Sequence, residues 1–468
     1  MNFKIPLYLT LRVVLLVPVL SGCEAFTDVD VPNDRITSLS VFSDDATAFK
    51  AMDGVYIQLF NTSFAAGGTE SVSFLAGLSA DTFRVSSPVP VMEAFAAHEI
   101  DAVNSYNLSL WSGAYATIYM CNSILEQSRE TGPLRTETLT ALQGESLFIR
   151  AFTYFYLTSL YGAVPLIAST SYSRNALVAR TDSQLVYDQL TGDLLEAVSL
   201  LNTDYRDGKR THVNRYTAMA LLARVYLYEG NWELAEQYSS AVLEATGVYT
   251  LASDLDSVFL SSSTEALWQV SPEGWGGEFT HTREGNLFIR ISESGSPVQL
   301  ADSFMAQWEA SDLRREHWVG QYSSATAAYY YPFKYKVQYD ASGGTYSEYS
   351  MVMRLAEQYL IRAEARAHRD NLQGALDDVN RIRERAGLPA LTASSLSTQP
   401  LLLEAIAQER RMELFSEWGH RWLDLKRTGQ VPEREAPYSE TWEATDYLYP
   451  IPDAERMKNP NLTQNEGY

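Results

Sequence analysis

The sequence has 468 residues, enough by length alone for two or three domains. Its hydrophobic content of 46% is that of a globular protein with a large core. Because acidic residues outnumber basic ones by 58 to 36, the composition argues against a nucleic-acid or anionic-membrane partner bound through a basic surface.

The N-terminus has the pattern of a targeting segment. Lys4 and Arg12 supply positive charge around the start of an apolar run at 13–20, which is too short to span a membrane. The Leu-Ser-Gly-Cys that ends at Cys23 resembles a bacterial lipobox, so we expect a signal peptide over 1–22 and an acylated Cys23. A plain secretory signal with an incidental cysteine is the alternative.

Two further expectations follow from the cysteines and the segment after them. Residues 23–42 are interpreted as a lipidated tether that leads to the folded body. Cys121 is the only other cysteine, so no intrachain disulfide can form once Cys23 is acylated. Cys121 lies within a helical pattern and is expected to be a small core residue.

The N-terminal half predicts four amphipathic helices. The first follows Ser43, which we expect to cap it, and the others cover residues 108–127, 137–161 and 184–201. Residues 61–107 are predicted to be mostly loop, and a loop of that length is uncommon unless it is functional. Asn122 lies on the apolar face of the second helix, where a structural hydrogen bond is favoured over a ligand contact.

Residues 214–245 predict a helical hairpin of tetratricopeptide type. Gly230 separates its two helices, and Asn231 can cap the second one. Residues 355–387 repeat the pattern, with Asn371 in the place of Asn231. We interpret the two as divergent repeats separated by inserted material. Two unrelated amphipathic hairpins are the alternative.

The remaining segments lack sustained helical periodicity, apart from one helix. From about 247 to 350, Gly, Ser and aromatic residues dominate, and alternating runs at 267–270 and 333–339 predict short strands. A helix is expected over about 400–418. The Pro-rich tail at 430–468 is expected to pack as extended chain and turns.

Four segments resemble the signatures of the SusD/RagB family of outer-membrane nutrient-binding lipoproteins, and they occur in the family's order. In this sequence they are 144–166 (GESLFIRAF to LYGAVPL), 354–365 (RLAEQYLIRAEA), 409–427 (ERRMELF with RWLDLKR) and 449–468 (YPIP with NPNLTQN and a closing GY). With the lipobox, the resemblance spans nearly the whole chain.

The resemblance implies an all-α domain at 43–468, built on tetratricopeptide-like helical hairpins at about 43–246 and 352–427. A loop-rich, partly β insert at about 247–350 and the extended tail at 430–468 complete it. The resemblance also implies a surface lipoprotein anchored in the outer membrane through Cys23, with a SusC-type TonB-dependent β-barrel as its partner. Capture of a glycan or, in some relatives, a peptide is implied, without catalysis and without a cofactor.

Catalytic and metal-binding motifs are absent from the sequence. The six histidines lack HExxH or paired zinc spacing, and no phosphate-binding glycine loop or Gly-x-Ser-x-Gly occurs. Glu413, Glu417, Arg421 and Asp424 predict a structural charge ladder along one helix face, provided that the helix continues through Gly419. Since many acidic pairs could flank a sugar, a surface glycan hydrolase is retained as an alternative.

Sugars are held by exposed aromatic rings together with amides, carboxylates or arginines. Aromatic residues in irregular segments are the better candidates, because those on helix stripes are committed to the core. Trp275 and Phe279 in the insert are the first choice, since glycines surround Trp275. The early loop adds Phe95, Tyr106 and Asn104.

Tyr329, Tyr330 and Tyr331 form a third aromatic cluster, whose alternation fits a half-buried strand equally well. Glycan capture and delivery to a partner barrel is the favoured hypothesis. Peptide capture, a glycan hydrolase and a scaffold that docks other proteins are the alternatives.

Overall fold

The computed structural model describes residues 41–87, 89–129, 132–325, 327–396, 398–431 and 442–468. The expected signal peptide, Cys23 and nearly all of the tether lie outside the described residues. Within them the chain is mainly helical, and its short strands pair two by two. The predicted all-α fold with short strands in the insert is confirmed.

The elements are numbered here in chain order. The longer helices are α1 (Asp45–Asn61), α4 (Ser105–Ser128), α5 (Thr136–Tyr161), α7 (Ser183–Leu200), α8 (Arg215–Tyr228), α9 (Trp232–Leu243), α13 (Leu355–His368), α14 (Leu372–Arg385) and α15 (Gln399–Glu413). The shorter ones are α2 (Val72–Leu78), α3 (Pro90–Ala96), α6 (Tyr172–Asn175), α10 (Arg283–Phe288), α11 (Asp302–Met305), α12 (Leu313–Trp318), α16 (His420–Arg427) and α17 (Asp453–Lys458).

The strands form four antiparallel pairs. They are β1 (Phe83–Val85) with β5 (Val298–Leu300), β2 (Val164–Pro165) with β3 (Arg180–Thr181), β4 (Ala266–Val270) with β8 (Ser350–Arg354), and β6 (Val319–Ser323) with β7 (Ala328–Pro332). The pairing of β4 with β8 closes the insert, because it brings the segment after the first hairpin back to the start of the second.

The two predicted hairpins, α8–α9 and α13–α14, have the same turn. Gly230 and Asp370 both adopt positive φ, at 70° and 61°. The next residue in each hairpin, Asn231 or Asn371, caps the following helix by accepting a hydrogen bond from the backbone N–H three residues on. Both predicted hairpins are confirmed, and they share this turn.

The hairpins pack directly against each other. Trp232 of α9 stacks on His368 of α13, with ring centroids 3.8 Å apart and planes only 7° from parallel. In the core between them, Arg224 of α8 donates to both oxygens of Glu357 on α13, at 2.7 and 2.6 Å, and to the Tyr156 hydroxyl at 2.9 Å. The one buried charged side chain of the apolar helix α8 is therefore paired.

A second set of buried ion pairs joins the insert to the C-terminal part of the chain. Arg354, at the end of β8, bonds both oxygens of Glu417 at 2.8 Å and the carbonyl of Glu413 at 2.8 Å. Arg385 of α14 pairs with Glu265 at 2.8 Å and also with Glu413. All five side chains are at most 8% exposed.

The charge ladder predicted along 413–424 is wrong, because the helix does not continue. Helix α15 ends at Glu413, and Ser416, Trp418 and Gly419 take positive φ before α16 begins. A Cβ at Gly419 would lie 2.5 Å from the Cβ of Ala76, so glycine is required there. Glu413 and Glu417 enter the buried cluster instead.

Other details of the sequence-based prediction also need correction. Residues 61–107 are mostly irregular, as predicted, but α2, β1 and α3 lie within them. The two helices have seven residues each, too few to show a helical period. Asp44 caps α1 in place of Ser43. The strand expected at 333–339 lies at 328–332, and the C-terminal tail contains α17.

The structural role expected for Asn122 and Cys121 is confirmed. Asn122 is buried, donates to the carbonyl of Ile167 at 2.9 Å and accepts from Arg150 at 2.8 Å. Cys121 is fully buried, and burial raises the pKa of its thiol to about 12.

We expect Glu357→Ala to lower the free energy of unfolding by about 3–5 kcal/mol, because it leaves Arg224 buried without its carboxylate. Denaturant unfolding measures the change. Glu384→Ala, which removes an exposed ion pair with Arg381, is the matched control and should cost no more than about 0.5 kcal/mol. Equal effects of the two substitutions would contradict the assigned role of the pair.

The same pair predicts an acid-dependent loss of stability. Burial disfavours the Glu357 carboxylate, but the Arg224 guanidinium outweighs burial and lowers the pKa of Glu357 from 4.5 to about 2. The contribution of the pair is therefore complete above about pH 4.5 and is lost as the pH falls towards 2. Glu357→Gln should flatten this part of the stability profile, and an unchanged profile would contradict the assignment.

Candidate functional site

The loop that carries Trp275 begins directly after the buried strand β4. A single 3₁₀ turn, Pro272–Trp275, starts at the cap Ser271 and ends at Gly276, which adopts φ +74°. Gly274 lies against Phe60 of α1 so closely that a Cβ there would approach the ring to 2.4 Å. Gly274 therefore lets the loop pack on α1, and Gly276 turns the chain after Trp275.

Trp275 is half-buried and held on several sides. Its indole N–H donates to the carbonyl of His281 at 3.0 Å, and its ring meets Phe60 edge-on at 5.4 Å. The guanidinium carbon of Arg283 lies 4.1 Å from its ring centroid, in a cation–π contact. Trp275 is therefore mainly a packing residue that supports the neighbouring surface.

Two other rings lie at the surface in front of Trp275. Phe279 is half-buried, 5.3 Å from Trp275, and Tyr339 is 59% exposed, 5.6 Å from Phe279. His281 lies behind both, 5.6 Å from Phe279 and 5.2 Å from Tyr339. We call Phe279 and Tyr339 the aromatic platform.

Hydrogen bonds between two distant segments hold the platform together. The Thr280 N–H donates to the carbonyl of Asp340 at 3.1 Å, and the Asp340 N–H donates to Nδ1 of His281 at 3.1 Å. The Thr280 hydroxyl and the Ser342 N–H both donate to the Asp340 carboxylate, which lowers its pKa. These hydrogen bonds fix the segments of Phe279 and Tyr339 relative to each other before a ligand binds.

The three residues proposed from the early segment do not join this site. Phe95 is completely buried and packs edge-on against Tyr449 at 5.2 Å, so it is withdrawn as a candidate. Asn104 caps α4 and donates to the carbonyl of Val91, which commits its side chain to the fold. Tyr106, in the first turn of α4, is half-buried against the same core.

The early segment meets the insert elsewhere, at the β1–β5 pair. Beside that pair Arg290 donates to the carbonyl of Ser296 at 2.7 Å, and its guanidinium carbon lies 4.5 Å from the ring centroid of Tyr329. Tyr329, Tyr330 and Tyr331 belong to β7, which confirms the half-buried strand interpretation. Tyr329 and the exposed Ile291 make this a second surface with aromatic character.

Sequence reasoning found Trp275 and Phe279 but missed Tyr339, His281 and Arg283. Tyr339 lies 60 residues beyond Phe279, and no pattern in the sequence links the two segments. The run of glycine and serine just after Tyr339 is the one signal that an exposed turn follows it.

The structure contains neither a membrane span nor a metal cluster in the part of the chain that it describes. No helix there is long and apolar enough to cross a membrane. In the same residues, no three His, Cys, Asp or Glu side chains are grouped so as to hold a metal ion.

The different roles of the aromatic residues predict different effects on stability. Trp275→Ala should lower the free energy of unfolding by about 1–3 kcal/mol, since it leaves a void beside Phe60 and Arg283. Tyr339→Ala should change it by no more than about 0.5 kcal/mol, since the ring is exposed. Denaturant unfolding of both variants tests this, and an equal loss would mean that Tyr339 is a packing residue.

Two family models match separate parts of the chain. One, described as "SusD family", covers residues 319–468, and the other, described as "Starch-binding associating with outer membrane", covers residues 76–227. The SusD-like protein P2 of Formosa agariphila is 27% identical in an alignment of 410 positions that covers 77% of this chain and 80% of that protein.

Solved structures share the fold. A SusD superfamily protein from Bacteroides vulgatus superposes with a TM-score of 0.79 at 21% identity, covering 91% of this chain and 100% of the other. A laminarin-binding SusD-like protein superposes with a TM-score of 0.76 at 24% identity, covering 91% and 100% of the two chains.

Proposed function

The chain belongs to the SusD/RagB family, and from that premise we propose that it is a surface protein that captures glycan without altering it. Capture would precede delivery to a SusC-type TonB-dependent barrel in the outer membrane. The family description "Starch-binding" and the laminarin-binding relative support a glycan over a peptide as the ligand.

The aromatic platform is the observation that carries the proposal. An exposed ring such as Tyr339 can cover the apolar C–H face of a sugar, while nearby polar groups bond its hydroxyls. Glu278 is exposed beside Phe279, and Asn286 is exposed where its amide bonds the carbonyl of Gln338. Because His281, Trp275 and Arg283 hold the platform rigidly, little ordering entropy would be lost on binding.

Calorimetric titration of residues 24–468 with neutral polysaccharides, including laminarin, tests capture. We expect binding without a slow heat of turnover, and we expect Tyr339→Ala to weaken it at least about tenfold, or 1.4 kcal/mol. Tyr172→Ala is the matched control, because Tyr172 is 84% exposed on α6, outside the platform. The affinity of Tyr172→Ala for the polysaccharide should equal that of the unaltered protein.

Other results of these experiments would move the site or support one of the alternative functions. If Tyr329→Ala abolishes binding and Tyr339→Ala does not, the function holds and the site moves to the β1–β5 surface. Heat of binding with peptides but not with polysaccharides would identify the protein as a peptide-capturing subunit. Release of reducing ends from the glycan would establish a hydrolase. Absence of a heat of binding with every ligand would contradict capture and favour a scaffold that docks other proteins.

Anchoring in the outer membrane through Cys23 is a separate part of the proposal. Cys23→Ala should move the protein from the membrane fraction to the soluble fraction and abolish labelling by a fatty-acid analogue, because one cysteine carries the lipid. Cys121→Ala is the control and should leave both unchanged. Membrane association that survives Cys23→Ala would contradict lipid anchoring.

A further inference from the structure

A cleft of about 300 Å³ lies on the other side of the Trp275 loop. Its volume is at the lower end of the range for small-molecule sites. Ser271 and Glu273 of the loop form one wall, and Asp207, Lys209 and His212 form another. Asp53 and Ile57 of α1 also line the cleft.

His212 organises the two aspartates of the cleft. Its Nδ1 lies 3.0 Å from Oδ1 of Asp207, and its Nε2 lies 3.2 Å from Oδ1 of Asp53. Arg206 donates to the same Asp53 oxygen at 2.6 Å and to the buried carboxylate of Glu145 at 3.0 Å. The side chains of His212 and Arg206 are 10–17% exposed, whereas the two aspartate side chains are 39–40% exposed.

The aspartates keep one oxygen each for a ligand. Asp207 Oδ1 also accepts from the N–H of Lys209, so these hydrogen bonds to the two aspartate side chains all end on Oδ1. In the described residues, neither Oδ2 accepts a hydrogen bond. A carboxylate oxygen in this state is an acceptor for hydroxyl groups.

The balance of charge decides which ligand the cleft would accept. Asp53, Asp207 and Glu273 are carboxylates with side chains 39–49% exposed, while Lys209 is the exposed cation and lies 4.0 Å from Glu273. Although burial opposes ionisation of both aspartates, their bonds to His212 and, for Asp53, to Arg206 lower their pKa values. A uronate or sulfate group would therefore meet repulsion, whereas neutral hydroxyls would meet acceptors.

The cleft and the aromatic platform lie along the same helix. Asp53 and Ile57 face the cleft, and Phe60, on the same face of α1, packs against Trp275 beneath the platform. Asp53 and Phe60 are seven residues apart, which is about 10 Å along the helix axis. One oligosaccharide could reach both places across the Trp275 loop.

We infer that this cleft is a second subsite for the captured glycan, that it binds hydroxyl groups of uncharged sugar units, and that it excludes acidic polysaccharides. The inference rests on the proposed function, because it assigns to this chain the kind of glycan it takes. It assigns no catalysis to the cleft, since a glycosidase needs one carboxyl held protonated and both aspartates are held ionised.

The test is a calorimetric titration of the purified protein with a neutral hexasaccharide from laminarin and with a hexamer of uronic acid. Ile57→Trp fills the cleft from a side chain that is 44% exposed, so folding should be preserved. We expect it to weaken hexasaccharide binding at least tenfold. Leu185→Trp, at a position 57% exposed on α7, is the matched control and should leave the affinity for the hexasaccharide unchanged.

A second variant tests the charge argument. Glu273→Lys replaces one of the three carboxylates of the cleft with a cation, so we expect it to bind the uronic acid hexamer, which the unaltered protein should reject. Equal affinity of the unaltered protein for both hexamers would overturn the exclusion of acidic glycans.

The two proposals fail in different ways. Unchanged hexasaccharide binding by Ile57→Trp, together with loss in Tyr339→Ala, would overturn the cleft subsite and leave glycan capture standing. Absence of binding of any glycan to the unaltered protein would overturn both.

Discussion

The relative positions of the insert, the second hairpin and the C-terminal helices depend on buried ion pairs around Arg354 and Glu413. Buried pairs add little net stability, because desolvation offsets their attraction, but loss of one partner is costly. Their role here is therefore geometric, because these pairs join the three segments to one another. Lys334, just after β7, adds to the same centre by donating to the carbonyl of Glu413 at 2.8 Å.

That constraint extends to the surface where binding is proposed. Arg354 ends β8, and β8 pairs with β4, the strand from which the Trp275 loop emerges. The Tyr339 segment lies between Lys334 and β8, so both its ends are held by the same centre. Buried charges thus hold the ends of both loops, and hydrogen bonds from Thr280 and Asp340 join the loops where Phe279 and Tyr339 meet.

The sequence predicts best what depends on local periodicity. The hairpins at Gly230 and Asp370 follow from small residues, caps and apolar stripes, all of which lie within a few positions of one another. The seven-residue helices α2 and α3 are too short for such a pattern. Gly419 marks a possible end of the helix before α16, but its close packing on Ala76, more than 300 residues earlier in the chain, has no signal in the sequence.

The candidate site shows the same limit. Glycines correctly marked the Trp275 loop as irregular, but Gly274 serves close packing on Phe60, and Trp275 supports the exposed rings instead of being one of them. Phe95 looked available because its segment lacked a long helical period, yet it is completely buried. Tyr339 and the aspartates of the cleft become candidates only when the fold brings distant segments together.

The most direct test of this account is a crystal structure of the protein with a bound neutral hexasaccharide. We predict one sugar unit against the ring of Tyr339 and another whose hydroxyls donate to Asp53 and Asp207, with the chain crossing the Trp275 loop. A hexasaccharide bound at Tyr329 and Arg290, with the platform and the cleft empty, would contradict it.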